Sequence, residues 1–340
     1  MKIKYINATV ITISILGLFA CNGGESGSNS SPTPTPTPSP SPTPSESGIT
    51  GNLFCPYTTT PTYLNTIVSS SASSYIPISG GVMSYGSEVC AIMQRTISGN
   101  GIPNHATGAF PNSNDPNPLT QQNISFIATL NPSKSPDVTY PQHSALGYSN
   151  NGVKLDPGTA ATVCDDGSVR QGAPACPWNL EAIAPSPSSN PQANLGLDQC
   201  NGHTQPGGWY HYHGLPTCYI NTINNQAATS ITLIGWALDG FPIYNNYGYS
   251  NPADGSSSIQ KMKSSWQLLS VSGISSARTQ LLATYPMGSF TQDYVYTAGS
   301  GDLDECNGRF AVTPDFPKGI YQYYITESFP YIQRCIHGQD

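Results

Sequence analysis

The sequence predicts a mainly β fold: antiparallel, sandwich-like sheets with long loops, few short helices and several disulfides. Two features of composition support this. Only 9% of the residues are Asp, Glu, Lys or Arg, against about 25% in typical globular domains. The chain also contains 33 glycines, 31 prolines and 20 tyrosines, and turn formers with aromatic residues favour short strands over helices. An internal repeat of a tyrosine-rich hairpin points the same way.

The N-terminus, residues 1–21, has the pattern of a bacterial lipoprotein signal. Two lysines precede an apolar run over residues 10–20, which is too short for the roughly 20 residues of a membrane-spanning helix. The run ends in Leu18-Phe19-Ala20-Cys21, which resembles a lipobox. We therefore expect Cys21 to carry acyl chains such as palmitate that anchor the protein. In lipoproteins of this kind, an Asp directly after the cysteine favours retention in the inner membrane. Because Asn22 occupies that position here, we expect the protein to reach the outer membrane, on its periplasmic face or at the cell surface.

Residues 22–51 are expected to form a disordered stalk. The segment consists largely of Gly, Ser, Thr, Asn and Pro, so it has almost no apolar side chain to bury. Its prolines keep such a chain extended at about 3.1 Å per residue. The remaining residues, 52–340, are enough to bury a core, and we expect them to form the globular domain.

The cysteines agree with export to an oxidising compartment. Apart from Cys21, eight of the nine remain, an even number that suits a disulfide framework. The simplest pairing joins nearest neighbours, and the eight candidates are Cys55, Cys90, Cys164, Cys176, Cys200, Cys218, Cys306 and Cys335. Thiolate metal ligands are the alternative, but the sequence has no C-x-x-C pair.

The net charge of -7 bears on partners. An acidic surface argues against nucleic acid or an anionic lipid surface as a ligand. The membrane contact that we expect is therefore the lipid anchor alone. The sequence identifies no protein partner.

Strands are clearest in the second half of the chain. Residues 231–238 form a mostly apolar run that ends at Asp239-Gly240, which predicts a buried strand followed by a tight turn. Residues 322–326 predict another strand. Helical periodicity is weak, and the two short helices that it predicts lie within residues 87–95 and 257–269.

The internal repeat is the most informative pattern. Residues 197–202 read Leu-Asp-Gln-Cys-Asn-Gly and residues 303–308 read Leu-Asp-Glu-Cys-Asn-Gly. Each copy then leads through a loop into a tyrosine-rich segment, Gly-Trp-Tyr-His-Tyr-His in the first and Gly-Ile-Tyr-Gln-Tyr-Tyr in the second, and a cysteine follows in both. We expect two equivalent hairpins, each closed by its own disulfide.

The repeated segments carry a family resemblance. The motifs are Cys200-Asn201-Gly202-His203, Tyr210-His211-Tyr212-His213 and Leu303-Asp304-Glu305-Cys306-Asn307-Gly308-Arg309. With residues 100–105, 237–244 and 326–331, they resemble the YHYH domain family over most of the chain after the stalk. The family takes its name from its motif, so the resemblance implies membership and brings no particular activity or cofactor with it.

The histidines predict a metal site. On a strand, His211 and His213 point to one face with Cα atoms about 6.6 Å apart, and His203 can fold back to supply a third nitrogen. Three neutral imidazoles suit zinc or copper(II). In the second copy Arg309, Gln322 and Tyr324 replace the three histidines. The shared residues therefore look like scaffold and the histidines like an addition, although histidines that merely form hydrogen bonds in a tyrosine-rich hairpin are an equal alternative.

Several neighbours are candidates to complete or orient this site. Asp198 or Asp239 is a candidate to hold an imidazole from the second coordination shell, and Tyr210 or Tyr212 to contribute a phenol oxygen. His105 is a candidate fourth ligand, or else a loop histidine bonded to backbone. Three acidic residues are candidates for calcium binding, but a role in a structural turn is favoured for them: Asp302, Asp304 and Glu305.

Two other function classes remain open at this stage. A metal-free binding module is one, with Trp178, Trp209, Trp236 and the tyrosines lining a groove for glycan, peptide or lipid. A metal-dependent hydrolase is the other, with Asp198 or Glu327 as general base. Because the sequence contains none of the common nucleophile, zinc-protease, phosphate-binding or dinucleotide motifs, it leaves open whether the protein is an enzyme.

Overall fold

A computed structural model of the chain describes residues 62–65, 83–91, 94–141, 145–185, 194–224 and 229–338. The expected lipoprotein signal with Cys21, the expected stalk, Cys55 and His143 lie outside these ranges. All further statements about structure concern the described residues.

The mainly β fold is confirmed. The strands, in chain order, are β1 (Thr62–Asn65), β2 (Met83–Ala91), β3 (Gln94–Gly99), β4 (Ile124–Thr129), β5 (Gly147–Ser149), β6 (Lys154–Leu155), β7 (Ala161–Val163), β8 (Val169–Gln171), β9 (Trp178–Asn179), β10 (Gly202–Gln205), β11 (Trp209–Tyr212), β12 (Leu233–Ala237), β13 (Pro242–Tyr244), β14 (Tyr247–Tyr249), β15 (Ile259–Lys261), β16 (Trp266–Leu268), β17 (Tyr294–Tyr296), β18 (Gly308–Ala311) and β19 (Ile320–Tyr324). The α-helices are α1 (Thr217–Ile223) and α2 (Ser276–Gln280), and single turns of 3-10 helix occur at Val271–Gly273 and Thr291–Asp293.

The largest sheet has eight strands in the order β10-β11-β6-β5-β12-β13-β19-β18. The first four and the last four strands repeat one arrangement. In each half an outer antiparallel hairpin lies beside a parallel neighbour, β11 with β6 and β19 with β13. The antiparallel pair of β5 and β12 joins the halves at the centre. The repeat in the sequence is therefore one part of a duplication that covers the whole sheet.

The second large sheet contains β1 to β4 in sequence order, all antiparallel. Alternate residues of β3 and β4 are buried, and Ile97 and Phe126 belong to the same core cluster as Trp236 of the eight-stranded sheet. The Phe126 ring stacks on Tyr148 with centroids 5.0 Å apart. Two sheets thus enclose one core, as the predicted sandwich-like arrangement requires.

The helix predicted within residues 87–95 is wrong, because its described residues belong to β2 and to β3, which pair with each other in an antiparallel arrangement. Glu88 and Arg95 are buried and form an ion pair across the hairpin. The Arg95 guanidinium also lies over the Trp236 ring at 3.1 Å from its centroid. Charged side chains with such partners can face a core, so a pattern that treats them as polar misreads the inward face.

The second predicted helix, within residues 257–269, is also wrong. The segment contains β15, which pairs with β14, and β16, which pairs with β17, and these partner strands are rich in Tyr, a residue that favours strands. The α-helices lie elsewhere: α1 has 7 residues and α2 has 5. None of the helices in the described residues has the length and apolar character that crossing a bilayer requires.

The two predicted strands are present with shifted ends. The apolar run over residues 231–238 contains β12, whose five residues are all buried. It ends in a turn at Gly240, which has φ +84°, a region open to glycine. The strand predicted over residues 322–326 is β19, shifted two residues toward the N-terminus and buried throughout.

Within the described residues, three disulfides link nearest-neighbour cysteines, as expected from their spacing. The Cα atoms are 4.7 Å apart for Cys164–Cys176, 5.2 Å for Cys200–Cys218 and 5.0 Å for Cys306–Cys335. The last two close the two copies of the repeat. Cys200–Cys218 joins the segment before β10 to α1, which fixes both ends of the histidine-bearing hairpin.

Candidate metal centre

The hairpin of β10 and β11 places three histidines on one face of the eight-stranded sheet. His203 lies directly opposite His211 in the antiparallel register, and His213 follows His211 by two residues. Because strand side chains alternate between faces, His213 and His211 point the same way. The close return of the chain depends on Gly208, where φ is +79° and an added Cβ would lie 2.1 Å from Thr120 Oγ1.

The three imidazoles converge through their Nε2 atoms. His211 Nε2 lies 3.0 Å from His213 Nε2, and His213 Nε2 lies 3.0 Å from His203 Nε2. All three atoms lie within 4.8 Å of one another. The structure therefore brings together the three residues that the sequence predicts as metal ligands.

Backbone carbonyls orient two of the three rings. His203 Nδ1 lies 2.5 Å from the Leu195 carbonyl oxygen, and His211 Nδ1 lies 3.2 Å from the Trp209 carbonyl oxygen. A carbonyl only accepts hydrogen bonds, so each of these Nδ1 atoms carries the proton and donates it. The Nε2 atoms of both rings are then left with free lone pairs aimed at the cluster. His213 Nδ1 is buried and has no hydrogen-bond partner among the described residues.

Burial keeps these imidazoles neutral. His211 and His213 are each 3% exposed, and burial lowers the pKa of both well below its ordinary value, with neighbouring histidines acting in the same direction. Burial also lowers the pKa of His203, against the opposing effect of its hydrogen bond to Leu195. Neutral imidazoles are the form that binds transition metals.

The cluster fits a zinc or copper(II) ion. Bonds of about 2.0–2.1 Å from a tetrahedral zinc ion separate two imidazole nitrogens by roughly 3.3 Å. The observed separations of 3.0 Å need only a small outward movement of the rings. The donor set of three imidazole nitrogens suits both metals.

A polar group that the sequence analysis missed lies on the same face. Lys154 of β6 is directly opposite His211 in the parallel register. Its Nζ donates to Asp156 Oδ2 at 2.9 Å and to Gln205 Oε1 at 2.5 Å. Residues 154–156 alternate polar, apolar and polar around the fully buried Leu155, a pattern that is typical of a strand. Only the sheet order shows that this strand lies beside β11.

A cavity of about 540 Å³ opens beside the three histidines. Asp156 and Gln205 line it on the sheet side, and a loop containing Asp115 and Asn117 lines it from across. Asp115 accepts hydrogen bonds from Thr204 N at 2.9 Å and Thr204 Oγ1 at 2.7 Å. The cavity therefore combines a cluster of three imidazole nitrogens with space for a small molecule.

The predicted second-shell residues do not orient the imidazoles. Asp198 accepts hydrogen bonds from Gly108 N at 3.0 Å and Tyr210 Oη at 2.8 Å, so it holds loops and a tyrosine. Tyr210 and Tyr212 alternate with the histidines and therefore point to the opposite face. Asp239 belongs to the other half of the sheet, where it binds Tyr323 Oη and Gly338 N.

His105 is not a fourth ligand. Its Nε2 lies 2.6 Å from Tyr212 Oη and its Nδ1 lies 3.0 Å from the Ala106 carbonyl oxygen. This places His105 on the tyrosine side of the sheet, away from the three converging nitrogens. The alternative expectation, a loop histidine bonded to backbone, is the correct one.

The acidic residues before β18 act mainly in a turn. Asp304 Oδ1 accepts from Cys306 N at 3.1 Å and from Gly308 N at 2.9 Å. A second small cluster arises here, since His337 Nε2 lies 3.5 Å from Asp304 Oδ2 and 3.8 Å from Glu305 Oε1. His337 is buried, and its sequence context gave no sign of this position.

The tryptophans and Glu327, the candidate residues of the other function classes, lie apart from one another or from the histidine cavity. Trp236 is 1% exposed and lies in the main core, while Trp178 packs against a second core cluster, so these residues and Trp209 do not line one groove. Glu327 is bound to Lys261 at 2.6 Å on the surface. It is not among the residues that line the histidine cavity.

Comparison with known proteins gives one match. A family model described as YHYH protein matches residues 125–338, which is more than half of the chain and includes both hairpins and all three clustered histidines. No curated protein and no solved structure matches the chain. The chain therefore belongs to the YHYH protein family.

Proposed function

We propose that the domain binds one transition-metal ion, copper or zinc, through the Nε2 atoms of His203, His211 and His213. The observation that carries this proposal is the convergence of three imidazole nitrogens on a buried face, two pairs of them 3.0 Å apart and all within 4.8 Å of one another. The proposal assigns a task to residues that the second copy of the repeat lacks.

Hydrogen bonding alone accounts for the cluster less well. Two of the rings donate their Nδ1 protons to carbonyls, so in their neutral forms both Nε2 atoms are acceptors. Only His213, whose Nδ1 has no partner among the described residues, is able to place a proton on Nε2. It lies 3.0 Å from both neighbours but has one proton to donate. The other Nε2 acceptor is then left 3.0 Å from His213 Nε2 with no proton between the two nitrogens, and a bound cation would satisfy its lone pair.

The proposed location is the bacterial outer membrane. Cys21 would carry the lipid anchor, and residues 22–51 would hold the domain away from the bilayer. The support is the lipobox-like end of the apolar segment and the use of disulfides, which suits an oxidising compartment. A metal site in the envelope would be exposed to metals from outside the cell.

Elemental analysis tests the metal proposal. The mature chain is purified from membranes in detergent without a metal-affinity tag and reconstituted with zinc or copper. We expect about one ion per chain, and none in the His211→Gln/His213→Gln double variant. The matched control is His105→Gln, which removes a buried histidine of the opposite face and should retain the ion. Equal metal content in the double variant, or no metal in the reconstituted wild-type protein, would contradict the proposal.

A further inference from the structure

We infer that the metal keeps an open coordination position toward the cavity, and that a hydroxyl-bearing ligand, water or a small organic molecule, binds there and donates a hydrogen bond to Asp156. This inference rests on the proposed metal function. It assigns the ligand class of that site and a positioning role to a residue outside the histidine cluster.

The protein ligands approach the metal from one side. All three belong to a single hairpin and its continuation, and they face the cavity that they help to line. Within the described residues, the group that His203, His211 and His213 form contains no fourth His, Cys, Asp or Glu. Zinc sites with three protein ligands keep the fourth position for water or substrate, whereas structural sites use four. The histidine site has the first of these two forms.

The cavity has the size of a ligand site. Its volume of about 540 Å³ falls within the roughly 300–1,000 Å³ of small-molecule pockets. Its lining in the described residues includes Asp115 and Asp156 and neither lysine nor arginine. Carboxylates at the wall favour a ligand that donates a hydrogen bond over an anion that cannot.

Asp156 is placed to receive that hydrogen bond. Lys154 is opposite His211 on the neighbouring strand, so Asp156, two residues later, lies on the same face beside His213. Its backbone N donates to the Tyr212 carbonyl at 2.9 Å, which fixes this register. Lys154 holds Asp156 Oδ2, and Gln205 holds Lys154 in turn. The carboxylate is therefore oriented by a buried lysine and also lines the cavity.

Asp115, the other carboxylate of the lining, is already engaged. Its Oδ2 accepts from the backbone and the hydroxyl of Thr204. Its Oδ1 accepts from Asn117 N at 3.0 Å and Asn117 Nδ2 at 2.8 Å. These bonds tie the loop to β10, which leaves Asp156 as the acceptor for a bound ligand.

Gly158 offers a way to close the cavity. It lies at the cavity wall, and a Cβ added to it would meet no atom within 4 Å. A large side chain therefore has open space at this position, and because Gly158 belongs to the cavity lining we expect it to occupy part of the cavity without displacing the histidines. Gly158→Trp is the blocking variant, and Gly158→Ala is its matched control.

The test uses the full chain with cobalt(II) as the metal and follows its visible spectrum. One probe is acetohydroxamic acid, which binds metals through its carbonyl and hydroxyl oxygens and has an O–H group that can donate a hydrogen bond, and the other is azide, which has no proton to donate. We expect both to change the spectrum with saturation. Asp156→Asn should lower the affinity for acetohydroxamic acid about 10-fold or more. The affinity for azide should stay unchanged or rise. Gly158→Trp should weaken binding of the larger probe, acetohydroxamic acid, whereas Gly158→Ala should leave both responses unchanged.

The outcomes separate this inference from the metal proposal. Stoichiometric cobalt whose spectrum neither probe changes would overturn the open position while leaving the metal site intact. Equal weakening of both probes by Asp156→Asn would overturn its role as hydrogen-bond acceptor. Failure to bind cobalt, with zinc and copper also failing, would overturn the proposed function itself.

Discussion

The hairpins at the two edges of the large sheet share one face and differ on the other. On the shared face, Asp198 accepts a hydrogen bond from Tyr210 Oη at 2.8 Å, and Asp304 accepts from Tyr321 Oη at the same distance. In both hairpins the Asp also accepts from the backbone N–H groups of the following Cys and Gly. The repeated Leu-Asp-x-Cys-Asn-Gly segment is therefore a turn that anchors the first tyrosine of its hairpin.

The opposite face carries different chemistry in the two copies. His203 opposite His211 corresponds to Arg309 opposite Gln322. The Arg309 guanidinium lies 5.4 Å from the centroid of the Tyr324 ring and donates to the Tyr249 carbonyl at 2.7 Å. Gln322 Nε2 donates to Tyr324 Oη, so a cation, an amide and a phenol contact one another there. The tyrosine face is therefore common scaffold, whereas among the described residues the opposite face carries three converging imidazoles in the first hairpin and none in the second.

The duplication also explains why Asp239 lies far from the three histidines. In the first half Tyr212 Oη lies 3.3 Å from Asn151 Nδ2, and in the second half Tyr323 Oη donates to Asp239 Oδ2 at 2.5 Å. Asn151 and Asp239 each precede a glycine with positive φ in the turn that leads to the inner parallel strand. Asp239 is therefore the counterpart of Asn151 in the scaffold, which is the physical reason that it does not reach the histidines.

The largest effect, a loss of metal affinity, is expected when a histidine of the first hairpin is replaced by its counterpart in the second hairpin. His211→Gln places in the first copy the residue that the second copy has at Gln322. Loss of one imidazole from three removes a metal bond, and we expect metal affinity to fall at least 100-fold. Competition with a chromophoric chelator measures it. His337→Gln, in the other half, is the control and should leave affinity unchanged; a similar fall in both variants would show that the effect is not local.

The two repeat disulfides should act alike on stability. They close segments of 18 and 29 residues, for which chain entropy predicts about 3 to 4 kcal/mol each. We expect the Cys200→Ala/Cys218→Ala and Cys306→Ala/Cys335→Ala variants to lose similar free energies of unfolding in urea. A loss in one half more than twice that in the other would show that the halves do not share a scaffold role.

The two tyrosine–aspartate hydrogen bonds should make similar contributions to the free energy of unfolding, each smaller than that of a disulfide. Tyr210→Phe and Tyr321→Phe each remove a hydrogen bond to a carboxylate, worth about 1.5–3 kcal/mol. Urea unfolding should show similar losses, and Tyr210→Phe should retain the metal because its hydroxyl lies on the opposite face. Loss of metal in Tyr210→Phe would place that residue in the site and reject the division between faces.

The smallest expected effect is on the pH dependence of the free energy of unfolding of the metal-free protein. Burial lowers the pKa of His211 and His213 in the folded state, so below the unfolded value of about 6.5 the unfolded chain binds more protons. The stabilising contribution is thus present above about pH 6.5 and is lost as the pH falls below it. Urea unfolding between pH 7.5 and 5 should show a steeper loss for the wild-type protein than for His211→Gln/His213→Gln. Equal slopes would contradict the buried neutral state.

How much of the fold and of the candidate site the sequence predicts depends on how far apart in the chain the contacting residues lie. The alternation of Tyr and His within residues 210–213 is enough to place His211 and His213 on one face, and the short hairpin adds His203. Lys154 and Asp156 escape such reasoning because a parallel neighbour can come from anywhere in the chain. Asp115 reaches β10 across 89 residues through a loop. Period-2 and turn patterns thus predict the local core of the site, whereas its surroundings depend on tertiary pairing.

X-ray absorption at the metal edge of the zinc- or copper-reconstituted protein tests the central claim most directly. We predict three imidazole nitrogens at about 2.0–2.1 Å for zinc, with one further light-atom ligand and no sulfur. The Asp156→Asn variant should keep the three imidazoles. A shell with sulfur ligands, or with fewer than two imidazoles, would contradict a centre built from His203, His211 and His213.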